Sequence, residues 1–527
     1  MMLLCKFDSK ATAMEHITPV DRHQLSFGSL EELIAPDDPV RFLDAFAEKM
    51  DLLKLGFKLK DVKVEGRPSF HPRLFLKIYL YGYQNGIRSS RRLEKECKRN
   101  VEMQWLCGKL VPNYHTIADF RKVNGKALVN MFKLFVSFLQ EADLIGGKTI
   151  AIDGTKSRAH NSKKNNFTSK KLDRHFQYIE EKTKEYLTQM DSLDQEEDAA
   201  ELQDVEAKIA RLKQNKIKYK KLNSQLIASG EPQISTTDPD SRSLLVQGQV
   251  VEVCYNTQTA VDAKHCLVVA THTINRNDRN ALSSIANEAK QNLQADQFTL
   301  LADKGYHNAR EIENCQALNL KTIVAQQELV NSNTKGTTKE YLVDQFKYNN
   351  KTDTYTCPAG QTLKTFGTWH TKMRDDKSSY KFKKYRTPAC KTCPVKQLCT
   401  GRVKGGREIE RSQYAAAVEQ NTRNYKRNQK LYRRRQEINE HIFGTIKRKW
   451  GYNYTNLIGL EKVNGEWSLI MLSYNIKRVF NILEFDDLMT TLKNWKPKYR
   501  KTWRLRSNPA SNAAITLPIF YELEIAA

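Results

Sequence analysis

Apolar residues recur at helical spacing through the first part of the chain. Between Pro39 and Leu55 they fall at Phe42, Phe46, Met50 and Leu53, which predicts an amphipathic helix. Pro72-Arg-Leu-Phe-Leu-Lys-Ile-Tyr-Leu-Tyr-Gly-Tyr83 predicts a second, with proline at its first position. A third reads from Ser89 to Asn100. A fourth opens near Pro112, with Thr116 as its expected cap, and runs to about Ala142. The pattern changes after Gly146-Gly-Lys148, where a short apolar run ends at Asp153, as in a buried strand that delivers a carboxylate to an edge. Strands are predicted at Gln249–Thr259, Cys266–Thr273, Phe298–Asp303 and Lys321–Ala325, with helices at Asn280–Leu293 and Ala309–Ala317. That order predicts a mixed α/β sheet rather than an all-parallel one.

Two segments interrupt the alternation. Residues 161 to about 228 carry almost no strand signal, and Leu202, Val205, Ile209 and Leu212 are spaced for an antiparallel helical insertion, placed at 161–245. Its acidic middle (Asp194, Glu196, Glu197, Asp198, Glu201, Asp204) would repel DNA, which leaves spacing or self-association as its role. Residues 331–420 form a cysteine-rich insertion. Cys390-Lys-Thr-Cys393 and Cys399, with Cys357 upstream behind Tyr348 and Tyr355, suit a tetrahedral structural Zn²⁺. Cys5, Cys97, Cys107, Cys254, Cys266 and Cys315 show no ligand spacing. A basic helix around Glu440 and another from Ser468 to Leu483 follow.

The expected organisation is a helical DNA-binding domain at 1–145, a first catalytic strand at 146–160 and the helical insertion at 161–245. The core continues at 246–330, the cysteine-rich insertion occupies 331–420, core helices take 421–485, and 486–527 is a tail.

Charge narrows the class. The 527 residues hold 86 basic against 60 acidic side chains, a formal excess of +26 that favours a polyanionic partner through counterion release. No run approaches the ~18–20 apolar residues that span a bilayer, and the first residues do not read as a signal peptide. The expectation is a cytoplasmic protein without a membrane partner.

Asp153, Asp303 and Glu440 are the candidate ligands of two Mg²⁺ or Mn²⁺ ions. Hard oxygens hold such ions, which activate water and neutralise the leaving oxygen of a phosphodiester. Asp262 and Asp278 compete with Asp303 for the second place. Lys447, seven residues past Glu440, is expected on the same helical face to meet a phosphate, with Tyr432 and Arg435 gripping the strand being cut. Arg91, Arg92, Lys95, Lys98 and Arg99 would serve a helix-turn-helix, or form the solvated face of a plain helical bundle.

These segments resemble the DDE transposases of bacterial insertion sequences, in particular the insertion-sequence eleven-eighty-two family. The resemblance runs over about residues 20–485. It rests on His71-Pro with Leu76-Lys-Ile-Tyr-Leu-Tyr-Gly, Asn113-Tyr-His-Thr-Ile-Ala-Asp-Phe-Arg121, Ile152-Asp-Gly-Thr-Lys156, Tyr255-Asn-Thr-Gln-Thr-Ala-Val-Asp262, Ala302-Asp-Lys-Gly-Tyr306 and Asn439-Glu-His-Ile-Phe-Gly-Thr-Ile-Lys447. It implies a ribonuclease-H-like core in which Asp153, Asp303 and Glu440 are catalytic. It also implies cleavage and strand transfer on double-stranded DNA, at terminal inverted repeats and a target, by a homo-oligomer that pairs two ends. The wider group has a tyrosine–arginine–glutamate–lysine signature. Glu440 and Lys447 keep its spacing, but four residues separate Arg435 from Glu440 where the signature has three, and Gln436 takes the arginine position. The alternative is a catalytically silent DNA-binding protein derived from such an enzyme.

Overall fold

The computed structural model describes residues 23, 27–58, 69–196, 199–246, 250–326, 337–374 and 378–499. Glu197, Asp198, the expected strand start at Gln249 and the tail beyond 499 lie outside them.

Seven helices come first: α1 (Pro39–Lys49), α2 (Leu52–Leu55), α3 (Pro72–Gln84), α4 (Ser90–Arg99), α5 (Val101–Cys107), α6 (Tyr114–Val123) and α7 (Gly125–Glu141). Two expectations change here. The helix expected over 39–55 stops at Lys49, and Leu53, on the separate turn α2, is 67% exposed rather than buried. The helix expected from Pro112 to Ala142 is two helices. Asn113, not Thr116, caps α6 by accepting from the His115 amide (2.7 Å), and the chain breaks at Asn124-Gly125.

The core sheet is built from β1 (Thr149–Arg158), then, beyond β2 (Asn166–Phe167), α8 (Ser169–Glu196), α9 (Ala199–Ser229) and β3 (Ile234–Ser235), from β4 (Arg242–Val246), β5 (Val250–Asp262) and β6 (Leu267–Ile274). It is completed by α10 (Leu282–Leu293), β7 (Thr299–Ala302), α11 (Ala309–Ala317) and β8 (Lys321–Val324). The strands run in the order β6-β5-β1-β7-β8, with β4 pairing the first half of β5. β5 is antiparallel to β1 and β6, whereas β1, β7 and β8 are parallel, so the sheet is mixed as expected.

Between β8 and the last helices lie two small sheets. One is β9 (Lys347–Asn349), β10 (Thr354–Thr356) and β11 (Thr362–Lys364). The other comprises β12 (His370–Met373), β13 (Ser379–Tyr385) and, after the short helix α12 (Lys396–Cys399), β14 (Ile409–Ser412). The chain closes with α13 (Ala415–Arg427), α14 (Gln429–Phe443), α15 (Leu460–Val479) and α16 (Phe485–Asn494).

One apolar core runs from Ile34 to Trp495, so the amino-terminal helices share the core of the sheet. α15 explains this, because it is buried all round and packs against both α7 and β6. Gly465 on α15 meets Gly125 so closely that an added Cβ would stand 2.5 Å from the Gly125 Cα. Beside it Glu466, fully buried, faces Arg88 (3.6 Å) and Arg121 (3.7 Å). Part of the expected tail also belongs to this core: α16 and Trp495 pack on Phe46 and Phe138.

Both edges of the sheet are covered by asparagine side chains that complete backbone hydrogen bonds. On β6, Asn475 accepts from the Val268 amide and donates to its carbonyl (2.9 and 2.8 Å), and on β8 Asn421 does the same for Val324. Within 161–245, α8 and α9 pack on each other as a helical pair, but the stretch closes with β3 and with β4, which belongs to the core sheet. Leu172 packs with Leu222 and Leu226 at the base of the pair, and Met190 with Val205 and Ile209 further out.

Candidate active site

β1 pairs with β5 along almost its whole length, from Ile150 opposite Asp262 to Arg158 opposite Cys254. On its other side it pairs with β7 only from Thr149–Thr299 to Ala151–Leu301. Asp153 and Asp303 each stand two residues past that last pair, where the parallel strands part. Asp153 therefore lies in the middle of β1 rather than at its end. Gly154 to Arg158 stay in the sheet because β5 is long enough to pair them.

The Asp153 carboxyl is pushed up to about 6, first by burial. The Gly154 amide, donating to its Oδ1 at 2.8 Å, and Arg435 oppose the shift, while the carboxylates of Asp303 and Asp278 add to it. Arg435 on α14 brings Nη1 to 3.5 Å from Asp153 Oδ2. Its guanidinium lies 5.9 Å from the Tyr432 ring, and burial raises the Tyr432 hydroxyl, with Asp303 adding to the shift. Asp153, Asp303, Arg435 and Tyr432 thus share one corner.

Glu440 is not brought to that corner. It is exposed and accepts from Gln436 Nε2 at 2.6 Å. The position one turn past Arg435 is Asn439, which is buried and has no hydrogen-bond partner for either amide atom. Glu440 follows it by about 100° around the helix. Nor does Lys447 share the Glu440 face. α14 passes into a wide π turn, Gly444–Lys449, which shifts the phase that an unbroken α-helix would keep. Lys447 instead turns inward and donates to the Lys156 carbonyl (2.6 Å). Arg91 and Arg92 are exposed on α4, Arg91 over the Tyr114 ring at 4.8 Å. The tight turn expected between two helices there is itself a helix, α5, capped by Asn100.

The rivals for the second acid separate cleanly. Asp262 is buried and accepts from the amides of Gly146 (3.0 Å), Gly147 (2.8 Å) and Lys264 (2.8 Å), so it clasps the turn into β1. Asp278 lies beside Gly154 and within electrostatic reach of Asp153. Gln258 and Tyr306, which join it, stand in motifs of the sequence but receive no role from them. A signal for Gln258 is the run of four polar residues, Asn256 to Thr259, in a fully buried stretch of β5.

Among the described residues no three acid, histidine or cysteine side chains converge as a ready metal-ligand set. Asp153 and Asp303 still fit a divalent cation. They offer hard oxygens, and the repulsion that helps raise Asp153 is what a cation would relieve. In the insertion, Cys357, Cys390, Cys393 and Cys399 line one small cavity with Phe346 and Arg407. Burial raises the Cys399 thiol, the other three push the same way, and the Gln361 amide donates to Cys357 Sγ at 3.2 Å.

Comparison with known proteins gives two family matches. Residues 356–480 match the family described as Transposase DDE domain, and residues 28–123 match the one described as Transposase domain (DUF772). Both ends of the chain are therefore similar to transposase domains, and a DDE domain of this kind implies, at a general level, an enzyme that cleaves and joins DNA. The first match includes the four cysteines of the insertion and Glu440 but neither Asp153 nor Asp303. No curated protein matches. A solved structure described as the piggyBac transposase synaptic complex with hairpin DNA aligns over 86% of this chain and 79% of its own, at 7% identity and a TM-score of 0.31. No helix among the described residues is long and apolar enough to cross a membrane.

Proposed function

We propose that this chain is an insertion-sequence transposase, of the insertion-sequence eleven-eighty-two type, that cuts DNA at terminal inverted repeats and joins the ends to a target. The observation that carries the proposal is that Asp153 and Asp303 stand at matching positions where β1 and β7 part, within electrostatic reach of each other, with Arg435 against the first. The strand order and directions of the sheet suit a ribonuclease-H-like core, and the two transposase-domain matches, which lie on either side of the sheet in the chain, support the transposase reading. In this reading Asp153 and Asp303 hold Mg²⁺ or Mn²⁺, which when bound activates water or a 3′-hydroxyl and neutralises the leaving oxygen. Arg435 and Tyr432 hold the scissile strand beside them, Arg91 and Arg92 meet phosphates, and Lys447 braces β1 from below. Glu440 joins the acids after a rotation of the α14 end, which the π turn makes local. Copies of the chain pair on two DNA ends. A zinc ion on Cys357, Cys390, Cys393 and Cys399 ties the insertion together.

A second reading, a silent DNA-binding descendant, draws on one observation: Glu440 points to solvent. Strand transfer separates the two. Full-length protein, given a duplex with the element's own ends and Mg²⁺, is expected to join those ends into a plasmid, and Glu440→Ala is expected to lose that product. Binding of the ends without any product from wild type would favour the silent protein.

A further inference from the structure

The ladder between β1 and β7 ends before either acid, so no backbone hydrogen bond between the strands fixes the distance from Asp153 to Asp303. A side-chain network spans the gap instead. Tyr306, in the turn that Asp303 caps, donates its hydroxyl to Gln258 Oε1 at 2.5 Å. Gln258 sits on β5 directly opposite Gly154, and its Nε2 donates to Asp278 Oδ1 at 2.8 Å. Asn256 Nδ2 donates to the same oxygen at 2.8 Å, and Lys156 Nζ lies 3.4 Å from the other. Asn308 to Asn280 (2.6 Å) is a second tie between the turns that carry Tyr306 and Asp278.

Facing residues of paired strands share a side of the sheet, and neighbours along a strand alternate. Gly154, Lys156, Asn256 and Gln258 therefore lie on one side of the sheet, and Asp153 points to the other. The network passes beneath the strand and presses on its backbone just past the acid. Only glycine permits this, because a Cβ on Gly154 would stand 2.5 Å from Asp278 Oδ1 and 2.6 Å from Gln258 Nε2. Gln258 and Asn256 are fully buried and Tyr306 is 1% exposed, so none of these groups can exchange its partner for water. A polar strut at this depth holds its geometry where its members are hydrogen-bonded to one another, as Tyr306, Gln258 and Asp278 are; the Asn256 Oδ1 is left without a partner, so Asn256 is not among the fixing residues.

We infer that Asp278, Gln258 and Tyr306 are positioning residues that set the separation of the Asp153 and Asp303 carboxylates for divalent cations. This rests on the two acids being metal ligands, as proposed above. Partners behind metal ligands typically affect metal affinity about 10- to 100-fold.

The test is Mn²⁺ binding to full-length protein without DNA, read by electron paramagnetic resonance, for wild type, Tyr306→Phe, Asp303→Ala and Tyr79→Phe. Tyr79 is a control for loss of a buried tyrosine hydrogen bond, since its hydroxyl donates to the Ile117 carbonyl (2.7 Å) among the amino-terminal helices. Tyr306→Phe is expected to weaken Mn²⁺ binding about tenfold or more, with Tyr79→Phe unchanged. In cleavage, the Mn²⁺ concentration for half-maximal rate should rise, with the rate recovering at saturating metal. Binding by Tyr306→Phe equal to wild type, or an equal loss in Tyr79→Phe, would overturn the strut while leaving the acids standing. Wild-type binding by Asp303→Ala would overturn the metal reading itself.

Discussion

Arg435 reaches from α14 to Asp153, Nη1 to Oδ2 at 3.5 Å, and among the described residues it is the cation paired with this carboxylate. It is not enough to keep the acid at its ordinary value. Burial wins, and the Asp153 carboxyl rises from the usual 3.8 to about 6. Because the folded value lies above the unfolded one, the folded chain holds the extra proton between them, and stability falls as pH rises through that window.

A metal must displace that proton. Mn²⁺ affinity is therefore expected to climb about tenfold per pH unit below pH 6 and to level off above it. In metal-free buffer Asp153→Asn should raise the melting temperature at pH 8, with the gain fading toward pH 4. Titrations of Mn²⁺ and thermal melts at several pH values check both. A pH-independent affinity would contradict the assignment.

The cysteine insertion predicts its own metal. Purified protein should carry about one zinc per chain by elemental analysis, and Cys393→Ser should lose it. Chelation should make the 337–412 region sensitive to protease first, because its own core is small, with Phe346, Tyr355, Leu363, Tyr385 and Ile409. Zinc-free protein with an intact insertion would remove the site.

Glu466 should be the most sensitive acid for stability. It accepts from the Asn456 amide and side chain (2.9 and 2.8 Å) and faces two buried arginines. Glu466→Ala leaves Arg88 and Arg121 uncompensated, at an expected cost of about 3–5 kcal/mol. Denaturant unfolding checks this. A cost near zero would mean that the arginines find other partners.

Much of this was legible from residue order. Asp153 and Asp303 each end an apolar run, and the two runs form the paired strands β1 and β7, which sets both acids two residues past the last pair. Three of the four cysteines announce themselves by spacing. The direction of Glu440 was not legible, because the rotation of α14 is set by packing and by a π turn that leaves no mark in the pattern. Nor was the domain boundary at 145. α15 is buried on every side, and only its neighbours reveal that it welds α7 to β6. Gln258, Asp278 and Tyr306 meet through strand register across nearly fifty positions, so no local spacing records them.

The most direct measurement is single-turnover cleavage, in Mg²⁺, of a duplex carrying the element's own ends, by wild type, Asp153→Ala, Asp303→Ala and Asp262→Asn. The first two variants are expected to bind the duplex but to cleave about 100-fold more slowly or worse, since even partners behind metal ligands cost about 10- to 100-fold. Asp262→Asn, changed only in the clasp of the Gly146-Gly147 turn, should lose thermal stability but keep the rate of its folded fraction. Cleavage at the wild-type rate by Asp153→Ala or Asp303→Ala would contradict the account.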